Sequence, residues 1–269
     1  MCRTAGGNQK LISWDVTAAG AITRAGGSGD QAGEATLNKI VALTDILLVT
    51  ACRTAGGSLK LISWRLNNNG SLTRLNDSGN QAGGVSEIAM VRITSGRVAT
   101  AVRANDGSLK VIVWDVAANG QVSRKGDSGN QAGEARMIRL VRDSSGHLVT
   151  SVRAANGNLK LVSWSVSGSG DTLTRLGDSG NQAGEIGDNA LMSRASGVIS
   201  AVRTADGHLK LIAWQVSAAG AITRAGDSYN LAGEATLITF CPESLSGNAA
   251  IVTACRTASG SLRLVSWDD

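Results

Sequence analysis

Aromatic residues and proline are scarce in this 269-residue sequence: aromatics make up 3% and Pro242 is the single proline. A chain with one proline is neither a proline-rich linker nor a collagen-like repeat. No stretch approaches the roughly 20 apolar residues that a membrane helix requires, so no membrane partner is expected. Residues 1 to 7 lack the apolar segment of a signal peptide, and the cellular location stays unknown because a removed leader would leave the same picture.

Histidine and cysteine are also few. The cysteines are Cys2, Cys52, Cys241 and Cys255. Their spacing matches no zinc motif and they align with repeated apolar positions, which predicts small buried thiols and no metal or cofactor. His147 and His208 occupy different turns outside any visible triad, so they are expected to be solvated and the protein non-enzymatic, with no catalytic residue. The net charge of +5 is spread among acidic residues, which argues against nucleic-acid binding.

Glycine, in contrast, is abundant at 34 residues, and tryptophan recurs at a regular interval. The tryptophans are Trp14, Trp64, Trp114, Trp164, Trp214 and Trp267. The first four intervals are 50 residues each, and a second phrase, fullest in residues 127–133 as DSGNQAG, recurs five times. A fixed period of this length indicates a tandem-repeat protein.

Each repeat predicts four short strands, here named A to D in chain order. In the third repeat they lie near Glu87–Ile93, Val98–Ala104, Ser108–Val116 and Gln121–Lys125. Asn-Gly and Asp-Gly turns separate them at hairpin spacing. Four-stranded units repeated at this period are typical of β-propeller blades. We therefore predict an all-β, closed β-propeller that forms a single domain over residues 1–269.

The blade number depends on incomplete repeats at the two ends of the sequence. Six B–C hairpins are present, but strands A and D each occur five times. Six blades are slightly favoured because all six hairpins keep their core residues. In the five-blade alternative, the last A, B and C strands share a blade with the first D strand.

The segment from Ala205 to Trp214, ADGHLKLIAW, resembles the end of a WD40 repeat, as does Ser13-Trp14-Asp15-Val16. The resemblance covers about 15 residues of each repeat and implies WD40-like blades. Three features depart from that family: no Gly-His pair precedes the blades, the period is longer, and Trp-Asp occurs in three repeats only. Lectin-type propellers are similar in architecture, although none of their sugar-binding motifs is present.

Polar residues recur where strand B ends, strand C begins and strand D ends. Because successive strands alternate in direction, these positions share one face of the propeller. The candidate ligand-binding residues are Arg53, Lys60, Asp77, Asn80, Gln81, Arg103, Lys110, Asp127, Asn130, Gln131, Arg153, Lys160, Asp178, Asn181, Gln182, Arg203, Lys210, Asp227 and Asn230. One interpretation is a structural network at the blade junctions. The other is a ring of inter-blade pockets that bind anions and hydroxyl groups.

The tryptophans likewise allow two interpretations, core packing between blades or a platform that stacks on sugars. The leading function hypothesis is a non-enzymatic, multivalent glycan-binding or other polar-ligand-binding protein. A protein-interaction scaffold is the alternative. A propeller hydrolase or lyase would require a polar cluster that breaks the repeat, and the most divergent segments are residues 185–189 and 240–245.

Overall fold

The computed structural model describes residues 1–79, 81–230, 232–241 and 251–267. These residues form strands and turns, and no helix occurs among them. In particular, the described part of the chain contains no helix of a length and hydropathy suited to crossing a membrane. The all-β prediction is therefore confirmed.

The first repeat contributes short strands that pair two by two. They are β1 (Cys2–Arg3), β2 (Gln9–Lys10), β3 (Ile12–Val16) and β4 (Ile22–Gly27). Strand β1 pairs with β2, and β3 pairs with β4. This repeat has no strand A, so its sheets do not extend to four strands.

The next four repeats each form a four-stranded antiparallel sheet in which the strands follow chain order. Blade 1 contains β5 (Ala35–Ala42), β6 (Leu47–Thr54), β7 (Leu59–Leu66) and β8 (Leu72–Asp77). Blade 2 contains β9 (Val85–Thr94), β10 (Arg97–Ala104), β11 (Leu109–Val116) and β12 (Val122–Asp127). Blade 3 contains β13 (Ala135–Arg142), β14 (Leu148–Ala154), β15 (Leu159–Val166) and β16 (Leu173–Asp178).

Blade 4 contains β17 (Ile186–Arg194), β18 (Gly197–Thr204), β19 (Leu209–Val216) and β20 (Ile222–Asp227). Blade 5 has three strands among the described residues: β21 (Thr236–Phe240), β22 (Ile251–Arg256) and β23 (Leu262–Trp267). In the third repeat, every predicted strand agrees with an observed strand to within two residues at each end.

The sheets form a β-propeller with a five-blade arrangement, so the preference for six blades is wrong. The physical reason lies in the first repeat, which has no strand A and forms only two-stranded sheets. Its Trp14 is 55% exposed, whereas the corresponding Trp64 is fully buried. The single-domain prediction stays a prediction. Two compact units can be distinguished, Met1–Asn130 with Ser167–Leu173, and Gln131–Val166 with residues from Thr174 onward.

Tryptophan anchors the core of each complete blade. In the first unit, Trp114 packs in a cluster with Val102 and Ile112, and its indole Nε1 donates to Oγ1 of Thr100 at 3.0 Å. In the second unit, Trp214 is buried and donates to Oγ of Ser200 at 2.9 Å. An indole that is buried and satisfied within its own sheet has no face to offer a sugar. Core packing is therefore the role of the tryptophans in blades 1 to 4.

Serines beside the tryptophans bind neighbouring repeats within each unit. The hydroxyl of Ser63, on strand C of blade 1, donates to the carbonyl of Gly120 in blade 2 at 2.6 Å. Ser163 makes the corresponding bond to Gly220. Gly120 has φ of 90°, and an added Cβ would lie 2.4 Å from Cβ of Leu75. Only glycine suits this turn, since it has positive φ and a close approach at once.

The cysteines follow the prediction in part. All four are free thiols, and Cys52 and Cys255 are buried. Cys2 and Cys241 are exposed, contrary to expectation. Cys2 lies in the first repeat, where no strand A covers it. Burial raises the pKa of the Cys52 thiol to about 11, so this thiol is protonated at neutral pH and is a poor nucleophile.

Candidate functional site

The predicted polar residues of strand D and the connector form a network at the blade junctions. In blade 2, Nη2 of Arg124 pairs with Oδ2 of Asp127, and Nη1 of Arg124 donates to the carbonyl of Gln81 at 2.6 Å. The other carboxylate oxygen of Asp127 accepts from the backbone N–H of Gly129 at 2.7 Å. The side chain of Gln81 accepts from the backbone N–H of Arg124 at 3.2 Å. The same pattern recurs at Asp77, Asp178 and Asp227.

Three carboxyls of this network, those of Asp77, Asp178 and Asp227, have lowered pKa values. Burial alone would raise the pKa of the Asp178 carboxyl. The backbone N–H of Gly180 and the cations Lys160 and Arg175 outweigh that effect, so the pKa lies below its usual value. Nζ of Lys160 lies 3.3 Å from Oδ2 of Asp178. These aspartates are therefore charged, and they interact with protein groups in this structure.

The remaining predicted residues do not join this network uniformly. Lys210 lies 3.8 Å from Asp227, whereas Asn130 and Asn230 bind the aspartates of the B–C turns. Arg153, at the end of strand B, pairs instead with Glu185 at 2.8 Å. Asn80 lies outside the described residues. Ligand binding by the residues predicted from the sequence stays a prediction.

Blade 4 departs from the repeat in the turn between its B and C strands. Nδ1 of His208 lies 3.1 Å from Oδ2 of Asp206. The same carboxylate accepts from Nδ2 of Asn230 at 2.9 Å and from the hydroxyl of Thr204. The positions that correspond to His208 hold Asn8, Ser58, Ser108, Asn158 and Ser261. The Asp206–His208 pair is therefore unique to blade 4.

The imidazole of His208 lies close to Asp206 without an aligned hydrogen bond to it. Its Nδ1 atom is buried and has no aligned hydrogen bond among the described residues, although Asp206 is close. The side chain as a whole is 35% exposed, so the exposed surface belongs to the rest of the ring. The hydrogen bond from Thr204 is the main cause that holds the pKa of the Asp206 carboxyl below its usual value. A charged carboxylate thus stands beside the buried nitrogen.

The second histidine, His147, forms a hydrogen-bonded pair with Asp143. Nδ1 of His147 lies 3.1 Å from Oδ2 of Asp143 in a hydrogen bond, and the backbone N–H of His147 donates to Oδ1 of Asp143 at 2.8 Å. The side chain of His147 is only 12% exposed. The prediction of a solvated side chain is therefore wrong for His147, whereas His208 is partly solvated, and each lies against an aspartate of its own turn.

Arg203 and Glu234 flank the same turn of blade 4. A Cβ atom on Gly207 would lie 3.3 Å from Nη2 of Arg203 and 3.8 Å from Cγ of Glu234. The backbones of His208 and Glu234 form an isolated β-bridge. Neither Arg203 nor Glu234 makes a side-chain hydrogen bond or ion pair within the described part of the chain. The turn therefore carries an imidazole that lies against Asp206, together with a guanidinium and a carboxylate that have no side-chain partner among the described residues.

Tyr229 is a second departure from the repeat near this turn. Its φ is 53°, in a region where the corresponding residues are all glycine. Those residues are Gly29, Gly79, Gly129 and Gly180. The side chain is 73% exposed, next to Asn230 in sequence. A tyrosine in this conformation is strained, and such strain concentrates at functional sites.

A cavity of blade 1 indicates which positions of a blade can form a pocket. It has a volume of about 550 Å³. Its polar lining includes Glu34, Thr54, Ser58, Lys60 and Arg74. By the repeat, the corresponding residues of blade 4 are Glu185, Thr204, His208, Lys210 and Arg224. His208 therefore occupies a pocket-lining position of the repeat.

Sequence reasoning identified Arg203 and Asn230 but missed Asp206, His208 and Tyr229. The signal was present: each of the last two breaks a position that is otherwise small or uncharged in every repeat. Of the divergent segments, Asp188 accepts from the backbone N–H of Ile238 at 3.0 Å, which is a packing contact. Residues 242–245 lie outside the described residues.

This chain is similar in fold to several proteins of known structure. Neither the protein-family models nor the curated proteins contain a match, so the WD40 resemblance has no support at sequence level. Among solved structures, a periplasmic gluconolactonase from Pseudomonas aeruginosa is similar, with a TM-score of 0.65 and 16% identity over 96% of this chain and 73% of that chain.

A putative 6-phosphogluconolactonase from Bacteroides fragilis is also similar, with a TM-score of 0.60 and 11% identity. That match covers 98% of this chain and 78% of the other. The predictions of a non-enzymatic, lectin-like binding protein are contradicted by these neighbours, both of which are described as lactonases. At these identities the likeness itself shows the fold, and the reaction has to be argued from the residues.

Proposed function

We propose that this protein is a hydrolase that opens the lactone of a sugar acid at the B–C turn of blade 4. The Asp206–His208 pair carries the proposal, since it is the polar cluster that breaks the repeat. Two structural neighbours that are described as lactonases support this reaction class. A lactone is a cyclic ester, and its hydrolysis requires a base to activate water and a group to stabilise the oxyanion.

His208 supplies the base. Asp206, charged and fixed by Thr204 and Asn230, receives the Nδ1–H of the imidazole after a small rotation of the ring. Catalytic hydrogen bonds are often poorly aligned before substrate binds, and they tighten in the complex. The pair then orients Nε2 towards water, in the way that a carboxylate orients a catalytic histidine in hydrolases.

Hydrolysis of the lactone requires only water, His208 and Arg203. Nε2 of His208 accepts a proton from water while the water oxygen attacks the carbonyl carbon of the lactone. Arg203, which has no partner within the described residues, stabilises the negative oxygen that forms. The ester C–O bond then breaks, and the departing ring oxygen takes the proton from His208. The product is the open hydroxy acid.

Substrate orientation is assigned to Tyr229 and Glu234. The exposed ring of Tyr229 offers an apolar face to a pyranose, and the carboxylate of Glu234 accepts hydrogen bonds from sugar hydroxyls. The cavity volume of about 550 Å³ in blade 1 falls within the range of small-molecule sites. By the repeat, we infer that His208 and the residues around it in blade 4 bind one sugar lactone.

The test is proton release during hydrolysis of D-glucono-δ-lactone, followed above the spontaneous rate. We expect His208→Asn to lower kcat about 100-fold, the usual contribution of a general base. His147→Asn is the matched control, because His147 has the same aspartate contact but is closed off from solvent. Its kcat should equal that of the wild type. A wild-type rate no faster than the spontaneous rate would contradict the proposal.

A further inference from the structure

One B–C turn lacks the carboxylate that its arginine normally meets. In the first repeat, Nη2 of Arg3 lies 3.2 Å from Oε1 of Glu34. In blade 3, Nη2 of Arg153 lies 2.8 Å from Oε1 of Glu185. The connector that follows blade 1 has Gly84 where these connectors have glutamate. Blade 1 therefore keeps the cation of this pair and loses the anion.

Arg53 is the cation that is left. Within the described residues its side chain makes no hydrogen bond and no ion pair, and its Nε atom is buried without a partner. A Cβ on Gly57 would lie 3.3 Å from its Nη2, so the guanidinium sits against the turn. A partly buried charge without a partner is costly, and it favours any anion that reaches it.

The side chain of Asn105 occupies the space that the Cβ of a glutamate at position 84 would take. A Cβ on Gly84 would lie 2.3 Å from Nδ2 and 2.5 Å from Oδ1 of Asn105. The corresponding turns have alanine at this position, namely Ala5, Ala55, Ala155, Ala205 and Ala258. An amide offers hydrogen-bond donors but no charge, so it fills space without neutralising Arg53.

We propose that Arg53 and Asn105 bind the carboxylate of a small organic acid in place of the missing glutamate. The guanidinium donates two parallel hydrogen bonds to the carboxylate, and Nδ2 of Asn105 donates a third. Both residues are exposed enough to be reached from solvent. Arg53 and Asn105 belong to the unit that contains Met1–Asn130, whereas His208 belongs to the other unit, and this proposal does not depend on the proposed hydrolysis.

The experiment is an NMR titration of the full chain with sodium acetate at constant ionic strength, followed at the backbone amide of Gly57. We expect a saturable shift with acetate and none with acetamide, which has the same shape and no charge. Arg53→Gln should weaken binding at least about tenfold, because two charge-assisted hydrogen bonds are lost.

Two variants use the repeat as its own control. The double variant Gly84→Glu with Asn105→Ala restores the pattern of the other repeats, and its internal carboxylate should abolish acetate binding. Conversely, the double variant Glu185→Gly with Ala205→Asn should create a saturable shift at Gly157 in blade 3. A shift at Gly57 that is linear with acetate, or one that survives in the double variant, would overturn the proposal.

Discussion

Tyr229 illustrates how one residue can exchange stability for function. Its φ of 53° is in the left-handed region, which costs a side chain about 1 kcal/mol relative to the glycine found in the other repeats. The backbone N–H of Tyr229 still donates to Oδ1 of Asp227 at 2.7 Å, so the turn itself is intact. The strain therefore belongs to the residue and is relieved by removing its side chain.

Tyr229→Gly should consequently raise the free energy of unfolding by about 1 kcal/mol in urea denaturation. The same variant should raise KM for D-glucono-δ-lactone and leave kcat unchanged, since the ring positions substrate without touching the reacting ester. Gly180→Tyr is the reciprocal control, and it should destabilise the protein without affecting KM. A loss of stability in Tyr229→Gly would contradict the assignment of strain.

For single residues, the sequence predicted which side chains are buried better than it predicted which side chains contact each other. Cys52 was predicted as a buried thiol from its alignment with valines, and it is buried. His208 was predicted to be solvated because it stands alone in sequence. Its contact with Asp206, two residues away, depends on the conformation of a turn, which no spacing rule specifies. An exception within a regular repeat was the usable signal.

At the scale of elements, the end of strand D is stabilised by charge. The pKa values of Asp77, Asp178 and Asp227 are all lowered: burial opposes the charged form, but backbone N–H groups and neighbouring cations outweigh it. A carboxyl whose pKa is lower in the folded state stabilises the fold above its unfolded pKa. That stability is lost as the pH falls through the folded value.

The protein should therefore lose stability in acid, starting below about pH 5 and continuing to the lowered folded pKa values of these carboxyls. Urea unfolding midpoints at neutral pH and at successive lower values measure the effect. Asp178→Asn should be less stable than the wild type at pH 7 by about 1 kcal/mol, and its stability should depend less on pH. Identical pH profiles for the two proteins would contradict this role of Asp178.

The strands themselves were predictable because period-two patterns and glycine turns act locally. The Arg124 pairing with Asp127 was not, since the sequence also allowed both groups to face a ligand. In the structure, Arg124 additionally binds the connector carbonyl of Gln81, 43 residues away in sequence. Such a distance can be bridged only once the register between neighbouring repeats is known.

At the scale of the whole molecule, the tandem repeat explains why the fold was predicted correctly and why the number of blades and the function were not. A 50-residue period with four strands led directly to a β-propeller. It did not give five blades, because the count depends on whether the first repeat, which lacks strand A, builds a full blade. The same regularity favoured a multivalent binding protein, since it drew attention to residues present in every repeat.

If the hydrolysis takes place where the repeat is broken, a matched pair of aspartate variants shows it. Asp206 and Asp106 hold equivalent positions, and each binds the asparagine of its connector, but only Asp206 neighbours a histidine. Their rates of D-glucono-δ-lactone hydrolysis as Asp206→Asn and Asp106→Asn are the measurement. We expect a large loss of kcat in Asp206→Asn and a wild-type kcat in Asp106→Asn. Equal rates in the two variants would contradict it.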